Sequence, residues 1–181
     1  MAEERKSYRV DALPSYPGEI GRWLWMLEEV RRHTRETVQD MGQGALDWRG
    51  PGGEENSIGS LLYHVAIVEM DWLFFDIRGK ESFPGPVEKL FPFPMRTDRK
   101  LTHVPGVTLS DAVARLDESR RVFLDDLSSM SLEDWRRART PVNADYHVTP
   151  EWVVFHLVEH EARHADQMRS LKVRASQNGL A

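Results

Sequence analysis

One stretch constrains this chain more than any other: residues 149–171, where His156, His160 and His164 recur every four residues inside an otherwise apolar helical pattern. Thr149 is a good N-cap and Pro150 suits the first helical position. Glu151 lies in the first turn, where the positive end of the helix dipole favours a carboxylate. At about 100° per residue, Val153, Leu157, His160, His164, Gln167 and Leu171 share one stripe, with His156 at its edge. The histidines are therefore expected at core positions. Burying an unpartnered imidazole costs about 1–3 kcal/mol, so two on one seam need a common explanation. Either each ring bonds a neighbouring carbonyl or carboxylate, or the i, i+4 pair points two nitrogens at a metal ion.

The rest of the chain supplies helices to pack against this one. Ile20, Leu24, Leu27, Thr34, Val38 and Met41 recur at helical steps from Glu19 onward, after an irregular lead-in over residues 1–17. A loop rich in Gly and Pro follows, and Asn56 or Ser57 caps a second helix with the stripe Ile58, Leu61, Val65, Val68, Trp72 and Phe75. His64 borders that stripe. A third helix opens at Thr108 or Ser110 and carries Leu109, Ala112, Val113, Leu116, Phe123, Leu127 and Met130, and a short turn of helix is expected at Ser131. With no convincing strand run, the pattern predicts an all-α four-helix bundle, one domain over residues 1–181 with residues 172–181 as a tail.

Residues 79–107 hold Pro84, Pro86, Pro92, Pro94 and Pro105, a connection longer than an antiparallel helix pair needs. It can carry the chain back along a bundle of roughly 30 Å, leaving the second and third helices parallel. Its Phe83, Phe91, Phe93 and Met95 are read as a lid over one bundle end.

Composition removes several functions. The chain has no cysteine, so disulfides, thiolate metal sites and thiol nucleophiles are excluded, and any reactive thiol must arrive with a substrate. Lys and Arg number 24 against 29 Asp and Glu, a formal charge of −5 that argues against nucleic-acid and anionic-membrane partners. The basic pairs Arg31-Arg32, Arg120-Arg121 and Arg136-Arg137 are expected on solvated helix faces. The N-terminus lacks an apolar segment behind its charges, and no apolar run approaches 18 residues, so a cytoplasmic protein is expected.

His160-Glu161-Ala162-Arg163-His164 satisfies His-Glu-x-x-His, in which the glutamate of a zinc protease acts as general base. No Glu or His follows His164 to serve as a downstream third ligand, and no substrate-binding strand is visible, so a peptidase is not expected. Taken alone His64 reads as a structural residue; taken with the pair on the last helix it is the natural third ligand, because adjacent bundle helices bring such positions together.

The segment from Asn56 to Trp72 containing His64 and Glu69, preceded by Asp47-Trp48-Arg49 and a Gly/Pro loop, resembles the second-helix signature of the DinB-like (YfiT-like) metalloenzyme superfamily. His160, His164 and Gln167 resemble the other half of that pattern. The resemblance spans about residues 19–171. It implies an up-down-down-up bundle, one divalent ion on His64, His160 and His164, and usually a homodimer. It also implies activities that include thiol-dependent S-transfer with low-molecular-weight thiols. Many members carry Arg-Gly where this chain has Ala165-Asp166, so the surroundings of the ligands depart from the common pattern there.

Three neutral imidazoles leave a divalent ion its full charge and an open position, as in catalytic zinc sites; zinc, nickel, iron and copper all suit such ligands, and zinc or nickel is expected. Such an ion serves hydrolysis through bound water or transfer through a bound thiol, and a small-molecule substrate is expected in either case. Glu161 adjoins a ligand and is the candidate acid–base. Gln167 and Asp166, with Glu69 and Glu159, are candidates to orient the imidazoles or the water. The alternative is a non-catalytic stress-related bundle that binds metal or keeps only the scaffold.

Overall fold

The computed structural model describes residues 5–142 and 144–180. Four long helical elements dominate: α1 (Gly18–Val38), α3 (Ile58–Asp71, continued by a π-helical stretch at Trp72–Ile77), α5 (Leu109–Leu127) and α7 (Pro150–Gln177). Short helices α2 (Gln43–Asp47), α4 (Gly85–Glu88) and α6 (Leu132–Arg136) lie between them. The four-helix bundle expected from periodicity is observed.

Local chemistry starts each helix. The hydroxyls of Ser57, Thr108, Ser131 and Thr149 accept from the backbone N–H three residues on, opening α3, α5, α6 and α7. The residues that touch fix the helix directions. Trp23, Arg31 and Thr37 on α1 meet Phe155, Glu161 and Lys172 on α7, numbers rising together, so these helices run parallel. Tyr63 and Glu69 on α3, and Arg78 just beyond its π stretch, meet Arg115, Arg120 and Asp126, so the α3 and α5 elements also run parallel. Between the pairs the order reverses: His64 and Trp72 meet His164 and Trp152.

Helix α3 is the centre of the bundle. Every residue from Ile58 to Met70 is buried, so it has no polar face, unlike the stripe read from its sequence. The span Ile58–Ile77 is long and apolar enough to cross a membrane, with mean hydropathy 1.4, yet 83% of it is buried inside the bundle. This run departs from the expectation that no apolar stretch approaches 18 residues, because Glu69, Asp71 and Asp76 interrupt it without ending it.

Three further differences have local causes. The expected strand-free connection contains a small antiparallel hairpin, β1 (Arg96–Thr97) with β2 (Lys100–Leu101), too short to show alternation. Its Phe91 is buried, Phe83 packs on Phe75 at 5.1 Å, and Tyr63 Oη donates to Phe93 O at 2.6 Å, so this segment covers the α3 side of the core. The presumptive tail is helix as far as Gln177, held by buried Leu171 and Ala175. Buried Ala45 and Leu46 anchor α2 within the expected loop.

Candidate metal centre

His64 lies in the middle of α3, and His160 and His164 lie one turn apart on α7. The antiparallel packing of these helices brings all three rings together. Nε2 of His160 stands 3.2 Å from Nε2 of His64 and 3.1 Å from Nε2 of His164. The three ligand atoms all lie within 4.8 Å of one another. His64 is 4% exposed, while His160 and His164 are half-buried. The rings therefore sit at the flank of α7; the seam of α7 that enters the core is Val154, Leu157, Glu161, Ala165 and Met168, one step from the stripe expected from the sequence.

The donor set fits a cation. Two imidazole nitrogens at ordinary zinc–nitrogen distances and a tetrahedral angle stand about 3.3 Å apart, close to the 3.2 and 3.1 Å that separate His160 from His64 and His164. Protons alone serve the cluster poorly. His164 Nδ1 lies 2.8 Å from Gln167 Oε1, so Nδ1–H donates there and Nε2 presents a lone pair to the cluster. A proton on His160 Nε2 points at one neighbour and leaves the other facing it unbridged. His64 Nδ1 is buried with no hydrogen-bond partner among the described residues. Burial, then the charge of His164, pushes His64 down to about 3, and burial with its histidine neighbours does the same to His160. Burial also lowers His164. All three are neutral at pH 7, the state a metal ligand requires.

Glu161 has a different role from the acid–base expected of it. It is 2% exposed and its carboxylate is held by two guanidinium groups, Arg31 Nε at 2.7 Å and Arg120 Nη2 at 3.1 Å. Glu69 completes the set, 3.1 Å from Arg31 and 2.5 Å from Arg120, with Ser119 Oγ donating to it at 3.2 Å. The remaining donors reach Leu116 O, Leu27 O and Glu28. One charge from each long helix thus forms a closed ring. Although burial raises the Glu161 carboxyl, Arg31 and Arg120 bring it below its ordinary value. A carboxylate so engaged is a poor proton acceptor, which removes the general base that His-Glu-x-x-His requires. Arg31 and Arg120 are buried, against the solvated faces expected for them, together with Glu69 and Glu161; Arg32 and Arg121 beside them are exposed.

The other candidates are dispersed. Asp166 is exposed and lies 3.5 Å from Arg169, and Glu159 pairs with Arg163. His156 stacks on Trp152 at 5.1 Å and abuts Trp72, outside the three-histidine cluster. A cavity of about 670 Å³ adjoins the cluster through Gln167, which lines it while holding His164. Leu61, one turn before His64, and the β1–β2 hairpin form other parts of its wall.

The sequence profile of the DinB superfamily matches residues 26–168, spanning both halves of the histidine cluster. The chain belongs to the DinB superfamily. Among solved structures, YfiT from Bacillus subtilis, described as a probable metal-dependent hydrolase with an unusual four-helix bundle topology, superposes with a TM-score of 0.60 at 18% identity. The match covers 99% of this chain and 94% of YfiT. At that identity the likeness concerns the fold of this DinB-superfamily member. Comparison with curated proteins gave no match.

Proposed function

We propose that this chain is a divalent-metal-dependent enzyme in which His64, His160 and His164 hold one zinc or nickel ion. It acts on a small molecule by hydrolysis or by transfer of a low-molecular-weight thiol. The observation that carries the proposal is the convergence of three neutral Nε2 atoms from two antiparallel helices. The description of YfiT as a probable metal-dependent hydrolase agrees with it. The ion, when bound, supplies a Lewis acid that activates water or a thiol at neutral pH. Burial of His64 keeps its lone pair free of a proton, and Gln167 fixes the ring of His164 by accepting from Nδ1–H. The Gln167 amide N–H groups remain to orient a group arriving through the cavity. Glu161 takes no part in proton transfer. The cavity beside the cluster favours a substrate-binding role over a closed, sequestering bundle. A homodimer, which rests on the family resemblance, and a cytoplasmic location, which rests on the sequence pattern, belong to the same proposal.

Elemental analysis of the purified protein tests the assignment. About one divalent ion per chain is expected, lost in each of His64→Ala, His160→Ala and His164→Ala with helix content kept. Retention of the ion by these variants, or no uptake of zinc or nickel by the native chain, sinks the proposal.

A further inference from the structure

The cavity next to the histidines has an uneven distribution of charge. Its acids are largely offset: Glu55 makes two bonds to Arg174, at 2.8 and 2.6 Å, and Asp166 faces Arg169. Glu54 is the remaining acid on the wall. Opposite them the β1–β2 hairpin contributes Arg96, Arg99 and Lys100, all exposed, and none of them pairs with a carboxylate among the described residues. Three cations within five residues repel one another, with Asp98 the one acid between them; the fold gives Arg96 a single long hydrogen bond, to Arg99 O at 3.5 Å.

The turn of the hairpin sharpens the point. Asp98 and Arg99 are its two central residues, with φ of 51° and 65°. Left-handed backbone at both positions is the twist-matched two-residue hairpin turn, whose second position favours glycine. This chain places a long cation there instead. A side chain kept at a strained position, pointing at a cavity, suggests that the side chain is used.

We infer that the molecule taken up beside the three histidines is a small organic anion, whose carboxylate or phosphate oxygens are held by Arg96, Arg99 and Lys100. This inference rests on the proposed metal site only for what happens at the other end of the ligand. Gln167, on the cavity wall and bonded to His164, marks the direction in which the reacting end points. Guanidinium groups suit carboxylate and phosphate because their planar donor fork matches paired oxygens.

Calorimetric titration of the zinc-loaded protein with succinate, inorganic phosphate and uncharged succinamide tests the inference, with metal content measured on the same samples. Succinate or phosphate is expected to bind and succinamide not, and the stronger of the two anions identifies the headgroup. Binding should weaken as salt is raised. Arg96→Ala and Arg99→Gly should each lower anion affinity about fivefold. Because glycine relieves the left-handed turn, Arg99→Gly should keep or raise Tm while it loses affinity, a combination that a purely structural arginine does not give. Equal binding of succinamide and succinate, no anion binding, or unchanged affinity in both variants overturns the inference. Loss of metal with anion binding intact would instead count against the proposed function, so the two failures are distinguishable.

Discussion

His160 and Glu161 are neighbours in sequence and face two opposite kinds of site. On one side of α7, three imidazoles converge without a carboxylate among them, and a cavity opens alongside. On the other, two arginines and two glutamates close on one another, all of them buried, with spare donors reaching backbone carbonyls. The charged ring is complete as it stands. The neutral cluster instead offers three nitrogens that could hold a cation. Polar groups buried in the same bundle can thus serve to fix the helices or to wait for a ligand, and satisfaction of their hydrogen bonds tells which.

Breaking the ring should have the largest effect. Glu161→Ala leaves Arg31 and Arg120 buried and undercompensated, and a loss of about 3–5 kcal/mol is expected in urea unfolding of the metal-free protein. A loss below about 1 kcal/mol would show that the ring is not structural. Breaking the cluster should act otherwise. With zinc at a thousandfold excess over its Kd the native protein gains about 4 kcal/mol, and His160→Ala should gain none. Its metal-free stability should change far less than that of Glu161→Ala. Equal zinc stabilisation of both proteins would remove the contrast between the two regions.

A smaller effect is expected at Gln167, which touches the cluster from outside. Gln167→Ala frees the ring of His164 to turn, and zinc affinity should fall about 10- to 100-fold with unfolding of the metal-free protein nearly unchanged. Competition with a chromophoric chelator measures this. Unaltered affinity would reduce Gln167 to a residue of the cavity wall.

The contrast also explains what could be read in advance. Thr149, Pro150 and Glu151 announce the start of α7 by local chemistry, and four-residue spacing places His160 and His164 side by side whatever they pack against. Those inferences need only one helix. The ring needs four. Arg31 and Arg120 looked solvated because Arg32 and Arg121, next to them, are exposed. The signal was nonetheless present: Arg31 lies between Leu27 and Thr34, Arg120 between Leu116 and Phe123, Glu69 four after Val65, and Glu161 between Leu157 and Ala165. Each holds a core position of its own stripe, and four opposite charges on four core stripes imply a buried cluster. Total burial of α3 had a signal of its own in the apolar run Ile58–Ile77, interrupted only by Glu69, Asp71 and Asp76, since a helix apolar on all sides is a buried one.

Acid separates the two regions by a smaller margin, and the sign of each contribution can be worked out. His64 and His160 are held at about 3 in the folded chain, below the ordinary imidazole value, so their contribution is complete above pH 6.5 and drains as pH falls toward 3. From pH 7 to pH 6 each should lose about 0.7 kcal/mol. Asp71 works against them. Burial, and then Asp76, raise it to about 6, so its carboxylate is a cost that protonation relieves over the same range. A net loss of at least about 1 kcal/mol is therefore expected in the metal-free protein, since burial also lowers His164 and His156, and a larger one in Asp71→Asn. The Glu161 carboxyl is lowered instead, so the ring keeps its contribution until pH falls below the carboxylate range. Urea unfolding at the two pH values reads the first step. Stability that held constant to pH 5 in Asp71→Asn would mean that the imidazoles are not kept neutral by burial, and the cluster would lose the property that fits it to a metal ion.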